Sequence, residues 1–227
     1  MVTMEALHAL TAEMHSGFLL VAIVGIALTA LCQIVVRLGD YLPESITGLA
    51  RKVAPYTEAA GIVGAFAGVI AIIFSAYTGS QSWTIDELVN DVIVRNKILL
   101  TCIILAMWIC VVGIRLRFKR GLWACPAMAW VYVGSAVAAF SVTALTGSMG
   151  AHLVFGGSSI DAILKELGLD YTLPWAFSST VAILLAVLGV IMIVISFLLI
   201  RRLPKKKLSP KTCGGKWTVP KVEARKK

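Results

Sequence analysis

The sequence predicts an all-α integral membrane bundle of five transmembrane helices, with the N terminus outside and the C terminus in the cytoplasm. Three observations carry this. Residues 17–36, 59–77, 98–114, 127–151 and 173–200 hold no charged side chain, and each stretch approaches or exceeds the length needed to cross a hydrocarbon core of about 30 Å. None alternates polar with apolar at period two, so they read as helices and not as strands of a lipid-facing barrel. Lysine and arginine also change sides from loop to loop as the positive-inside rule requires.

The loop count fixes the orientation. Arg37, Arg51 and Lys52 follow the first span, Arg115, Arg117, Lys119 and Arg120 follow the third, and Arg201 and Arg202 follow the fifth. The opposite loops hold Arg95, Lys97 and Lys165 against Glu5, Glu13, Asp86, Glu87, Asp91, Asp161, Glu166 and Asp170. A chain that is 59% hydrophobic and 15% charged lies outside the composition of soluble domains. The net charge of +9 belongs to the tail, because residues 201–227 alone contain eleven Lys and Arg and one acid. That tail is too polar and too rich in Pro and Gly to bury a core, so it reads as disordered. On the cytoplasmic side it is attracted to anionic lipid at roughly 1 kcal/mol per cation near the surface. Lipid, not nucleic acid, is its expected partner.

Element by element, residues 1–16 form an outer lead-in that carries acids where a signal peptide carries positive charge, so the first span is expected to remain as an anchor. Residues 17–151 hold four spans. Within the linker after the first, Pro43 can start a helix, and Ile46, Leu49, Ala50 and Val53 fall on one stripe, predicting a short amphipathic helix on the membrane surface. The second span carries Ala60, Gly64 and Gly68, and the fourth Gly134, Ser135, Ala138, Ala139 and Ser141, small-residue faces on which another helix can close. Tyr77, Trp83 and Trp175 at one boundary and Tyr41, Tyr56 and Trp123 at the other fit interfacial belts, whereas Trp108 reads as packing. In the outer loop 152–172, Ser158 precedes Asp161 at capping-box spacing, and Ile160, Ile163, Leu164 and Leu167 form an apolar stripe ending at Gly168. A fifth span, 173–200, and the tail complete the chain. No cysteine falls in an outer loop, so no disulfide framework is expected, and Cys102 and Cys110 read as small buried hydrophobes.

Chemistry is scarce. There is no phosphate-binding glycine loop, paired-cysteine knuckle or nucleophile elbow, and no carboxylate within a charge-free span. The three histidines, His8, His15 and His152, all fall on the outer side. His15 opens the first span and His152 closes the fourth, and first and last helices of an up-and-down bundle are usually neighbours. Two imidazoles facing each other there would suit an axially bis-histidine haem b. Arg95 and Lys97, at the outer start of the third span, are then the candidates to hold haem propionates. Met14 and Met149 lie beside these histidines in sequence, which gives copper bound through His8, His15, His152, Met14 and Met149 as an alternative.

Residues 8–157 resemble a family of small four-helix membrane proteins of unknown function. Its members open with a His-Pro…His-Phe-Pro segment before the first helix and close with Gly-Gly-x-Leu-Val-Tyr after the fourth. Here the opening is ALHALTAEMHSGFLL and the close is MGAHLVFGG, in which Gly150, Leu153, Val154 and Phe155 match and Ala151 replaces a glycine. Both opening prolines are absent. A weaker similarity links VRNKILLTCIILAMWI to the membrane domain of copper-resistance proteins. Together these readings point to a cytochrome b-like subunit of the cell membrane, passing electrons between membrane quinol and an outer-side partner. The alternatives are a cofactor-free accessory subunit bound to other membrane proteins, and a copper-binding protein.

Overall fold

The structure is a computed structural model that describes residues 3–119, 121–166 and 168, and beyond these only Val187, Val190 and Val194. The expected fifth span and the basic tail therefore lie outside the described residues. All regular structure among the described residues is helical: α1 (Met4–Arg37), a 3-10 turn (Gly39–Tyr41), α2 (Glu44–Ser82), α3 (Ile85–Asn90), α4 (Val92–Phe118), α5 (Gly121–Ala124), α6 (Pro126–Phe155) and α7 (Ser159–Glu166). Four of these, α1, α2, α4 and α6, are long and apolar enough to cross a membrane. The chain is thus a multi-pass helical bundle compatible with integral membrane insertion.

Two helices are longer than their charge-free cores. α1 has 34 residues and α2 has 39, about 50 and 58 Å at 1.5 Å per residue, so both continue well past a 30 Å core. The lead-in joins the first span without a break, and the Thr3 hydroxyl caps α1 by accepting from the Ala6 amide at 3.2 Å. The amphipathic segment expected on the membrane surface is not a separate helix. It forms the first turns of α2, which continues past Pro55 with Thr47, Ala50 and Ala54 buried on the helix face that the span also buries.

The four long helices close a ring. α1 packs on α2 and α6, and α4 also packs on α2 and α6, which leaves α1 opposite α4. The expected neighbourhood of first and fourth spans is present. The tightest contact is the α1–α2 seam, where an added Cβ at Gly25 would fall 2.6 Å from the Gly61 nitrogen, and one at Gly64 would fall 2.8 Å from the Phe18 carbonyl oxygen. Only glycine permits this approach. The small face is Gly61, Gly64 and Gly68; Ala60, expected to belong to it, is exposed. Hydroxyls brace both ends of the seam, with Thr29 and Thr57 paired at 2.9 Å and Thr11 and Thr78 at 3.0 Å. In the core, Trp108 is fully buried and its Nε1 donates to the Thr143 hydroxyl at 3.2 Å. Cys110 is exposed, not buried, since it lies on the outward face of α4.

Candidate functional site

The bundle has two polar ends. The first, the histidine end, collects the start of α1, the end of α2, the start of α4 and the end of α6. Here the His8 ring packs against Gly79 of α2, with an added Cβ at that glycine only 2.9 Å from the ring's Cε1. His8 Nδ1 is 3.0 Å from the Ser75 carbonyl oxygen, and His15 Nδ1 is 3.3 Å from that of Thr11. A carbonyl can only accept, so the neutral rings carry their proton on Nδ1 and present Nε2 as an acceptor.

Lys97 reaches in from the opposite helix. Its ammonium rests over Gly150 of α6, where an added Cβ would be 3.2 Å from Nζ, and its charge is felt by both His8 and His15 on α1. Lys97 itself is half-buried. Among the described residues the Lys97 ammonium has no hydrogen bond and no ion pair. Beneath it the core becomes apolar, with Leu100 packed on the fully buried Met149.

His152 takes a different course. Its Nδ1 is 3.1 Å from Asp161 Oδ2 on α7. Asp161 also accepts from the Ser158 amide at 2.7 Å, the Ser158 hydroxyl at 2.6 Å and the Ser148 hydroxyl at 2.8 Å. The capping geometry expected for Ser158 and Asp161 is therefore present, and it ties α7 back onto α6. Gly156, at φ 75, makes that reversal possible by closing α6 in the left-handed region. An open groove of about 810 Å³ lies beside this knot, with Ala144, Gly147, Ser148, Ala151, Phe155, Ser158 and Ile160 in its lining.

The predicted site residues thus separate. His8, His15 and Lys97 lie at the same end of the bundle, His152 is turned to α7, and Arg95 is half-buried on α4. Met14 is 45% exposed while Met149 is fully buried, so the two sulfurs have no common surroundings. No group of three His, Cys, Asp or Glu side chains among the described residues is placed to hold a metal ion.

The second end, the arginine end, was not visible as a unit in the sequence. Glu58 of α2 and Arg115 of α4 form an ion pair at 2.7 Å with both side chains largely buried. The same carboxylate oxygen accepts from Trp123 Nε1 at 2.7 Å, and the Arg37 guanidinium donates to the Trp123 carbonyl. Trp123 stacks edge-on against Tyr132, with ring centroids 5.8 Å apart. Trp123 is therefore not an interfacial anchor. The α5 turn folds back into the bundle and buries Leu122, Trp123 and Ala124. The available signal was that Glu58 sits one position before the second charge-free stretch and Arg115 one position after the third.

Compared with protein-family models, curated proteins and solved structures, the chain matches none.

Proposed function

We propose that this multi-pass membrane protein is a haem b-binding redox subunit of the cell membrane. The histidine end would lie outside, and the arginine end and tail would lie in the cytoplasm, as the loop charges of the sequence argue. The observation that carries the haem reading is the state of the imidazoles. Nδ1 of His15 faces a backbone carbonyl, and Nδ1 of His152 faces a carboxylate, the arrangement that fixes the tautomer of ligating histidines and raises their basicity. On this reading His15 of α1 and His152 of α6 would hold the haem iron, and Lys97 and Arg95 would face its propionates. Haem bound there would supply one-electron chemistry between membrane quinol and an outer-side acceptor.

The protein's own part is to hold the two rings at fixed orientation. Asp161 does so for His152 and the α1 backbone does so for His15. The resemblance to the small four-helix family, carried by the segments around His8, His15 and His152, belongs to this proposal. A reduced-minus-oxidised visible spectrum of protein purified from a haem-competent host tests it. A stoichiometric α band, lost in both His15→Ala and His152→Ala, is the expected result; full haem retention in those variants ends the reading.

A second reading, a cofactor-free accessory subunit, is favoured by α6. Gly134 and Gly147 have nothing within 4 Å of where a side chain would stand, leaving small-residue surface on which a partner helix could close. Co-purification of other membrane subunits with a featureless visible spectrum would select it. Copper bound through the histidines and methionines is a third alternative, decided by metal analysis.

A further inference from the structure

We infer that the expected fifth span, residues 173–200, docks on the outward face of α6 and fills the groove beside α7. Large apolar side chains line the outer faces of other long helices, with Leu20, Val24 and Leu28 exposed on α1 and Val63, Phe66 and Phe74 on α2. α6 departs from this pattern at Gly134 and Ser141, both exposed, and at Ala144, which is half-buried. A Cβ added at Gly134 would meet nothing within 4 Å. Lipid tails are as apolar as leucine, so small residues turned outward gain nothing from lipid and serve where a second backbone comes close. Ala144 and Ala151 carry the same face into the groove of about 810 Å³, across from Ser158 and Ile160.

The path of the chain supplies the occupant. α7 packs on α6, and Asp161 fastens its start there through Ser148 and His152. Gly168, at φ 72, follows α7, and only five residue steps separate it from Leu173, at most about 18 Å of extended chain. A span beginning at Leu173 therefore enters the bilayer close to the outer end of α6. Its sequence suits that face. Ser179, Ala182, Ala186 and Gly189 recur at intervals of three, four and three, one face of a helix. With Leu173 level with Ala151, where the two charge-free stretches meet the outer boundary, an antiparallel helix brings Ser179, Ala182 and Gly189 to within one residue of Ala144, Ser141 and Gly134 in depth. Val187, Val190 and Val194 are exposed, and on that helix they lie about a quarter of a turn from the small stripe, where lipid would be met. The surface that the accessory-subunit reading offers to a partner helix thus has an occupant in the chain itself, and the inference is independent of haem.

Cysteine cross-linking of the full-length protein in membranes tests it. In a background with the native cysteines changed to alanine, the pairs Ser141→Cys with Ala182→Cys, Ala144→Cys with Ser179→Cys, and Gly134→Cys with Gly189→Cys are oxidised with copper phenanthroline. Trypsin cuts at Lys165, between the two spans, so a disulfide within one chain appears as joined peptides from a species that runs as a monomer. Such links, without links from Ala182→Cys to Val24→Cys on α1 or Phe66→Cys on α2, are the expected result. Links to α1 or α2 instead, a Ser141→Cys single variant that joins two chains, or no link at any of the three pairs overturns the inference. Should the cysteine-free background not fold, Ala144→Trp in the native sequence fills the seat. Amide exchange across residues 173–200 should then speed up at least fivefold while α1 is unaffected, and unchanged exchange overturns the inference equally.

Discussion

The two ends of the bundle handle buried charge in opposite ways. At the arginine end, Glu58 meets Arg115 and Trp123 at 2.7 Å each, and the loop between α4 and α6 is drawn in to cover them. At the histidine end, the Lys97 ammonium lies over Gly150 with no carboxylate paired to it among the described residues, and the turn after α6 is fastened by the His152–Asp161 pair. A charge that is paired, donated to and covered serves the fold. A charge that is half-buried without a counter-charge detracts from stability. The contrast separates the part of the molecule that ties helices together from the part available for chemistry.

The largest expected effect breaks the first half of that contrast. Glu58→Ala leaves Arg115 buried without a counter-ion and releases Trp123 Nε1, and breaking a buried pair from one side costs about 3 kcal/mol. Thermal unfolding in detergent should show this loss, and Glu58→Ala with Arg115→Met should recover much of it. A single variant as stable as wild type would mean the pair is screened and the arginine end is not a tie. Next is Gly25→Ala, in the seam between the ends. Its methyl would meet the Gly61 backbone and force α1 and α2 apart at about 2 kcal/mol, whereas Gly147→Ala, with nothing within 4 Å, should be neutral. Lys97→Met sharpens the other half of the contrast. Removal of an uncompensated, half-buried cation should raise stability by up to about 1 kcal/mol, the opposite sign from Glu58→Ala. A clear loss would show that Lys97 is already paired in the apo protein.

What could be read from the sequence follows the same division. The four long helices were legible because apolar runs of spanning length leave the backbone no alternative in lipid, and the α1–α6 neighbourhood followed from bundle topology. The glycine seam was off by one position. Ala60 and Gly61 both lie one turn from Gly64, and only the partner, Gly25 across the seam, selects Gly61. Arg115 enters the orientation count as a loop charge and Glu58 does not enter it at all, which hides that antiparallel helices bring the two together. Trp123 read as an interfacial aromatic because nothing local reveals that four residues, Gly121–Ala124, turn back inward. His152 was matched with His15 by depth along the helices, while Asp161, nine residues on, was read only as a helix cap and not as its partner. Side-chain direction at helix ends depends on loops, and loop paths are the least determined part of a membrane sequence.

The smallest expected effect is confined to the connection at the histidine end. α3 links α2 to α4 and is held by a capping box in which the Thr84 amide donates to Glu87 Oε2 at 2.8 Å and the Glu87 amide donates to the Thr84 hydroxyl at 3.2 Å. Hydrogen bonds from the Thr84 amide and hydroxyl stabilise the carboxylate form and hold the Glu87 carboxyl below its ordinary range. A carboxyl whose pKa is depressed in the folded state contributes its full stabilisation above its unfolded pKa and loses it as pH falls through the lower, folded value. Amide exchange over residues 84–90 should therefore speed up, after correction for intrinsic rates, only under acid conditions. Glu87→Gln, which keeps a side-chain acceptor but cannot titrate, should remove that pH dependence. Exchange in α5 should not respond to either change, because the arginine end is tied by its own ion pair. A coordinated response of both ends would mean that the bundle opens as one unit and that the two ends are energetically coupled.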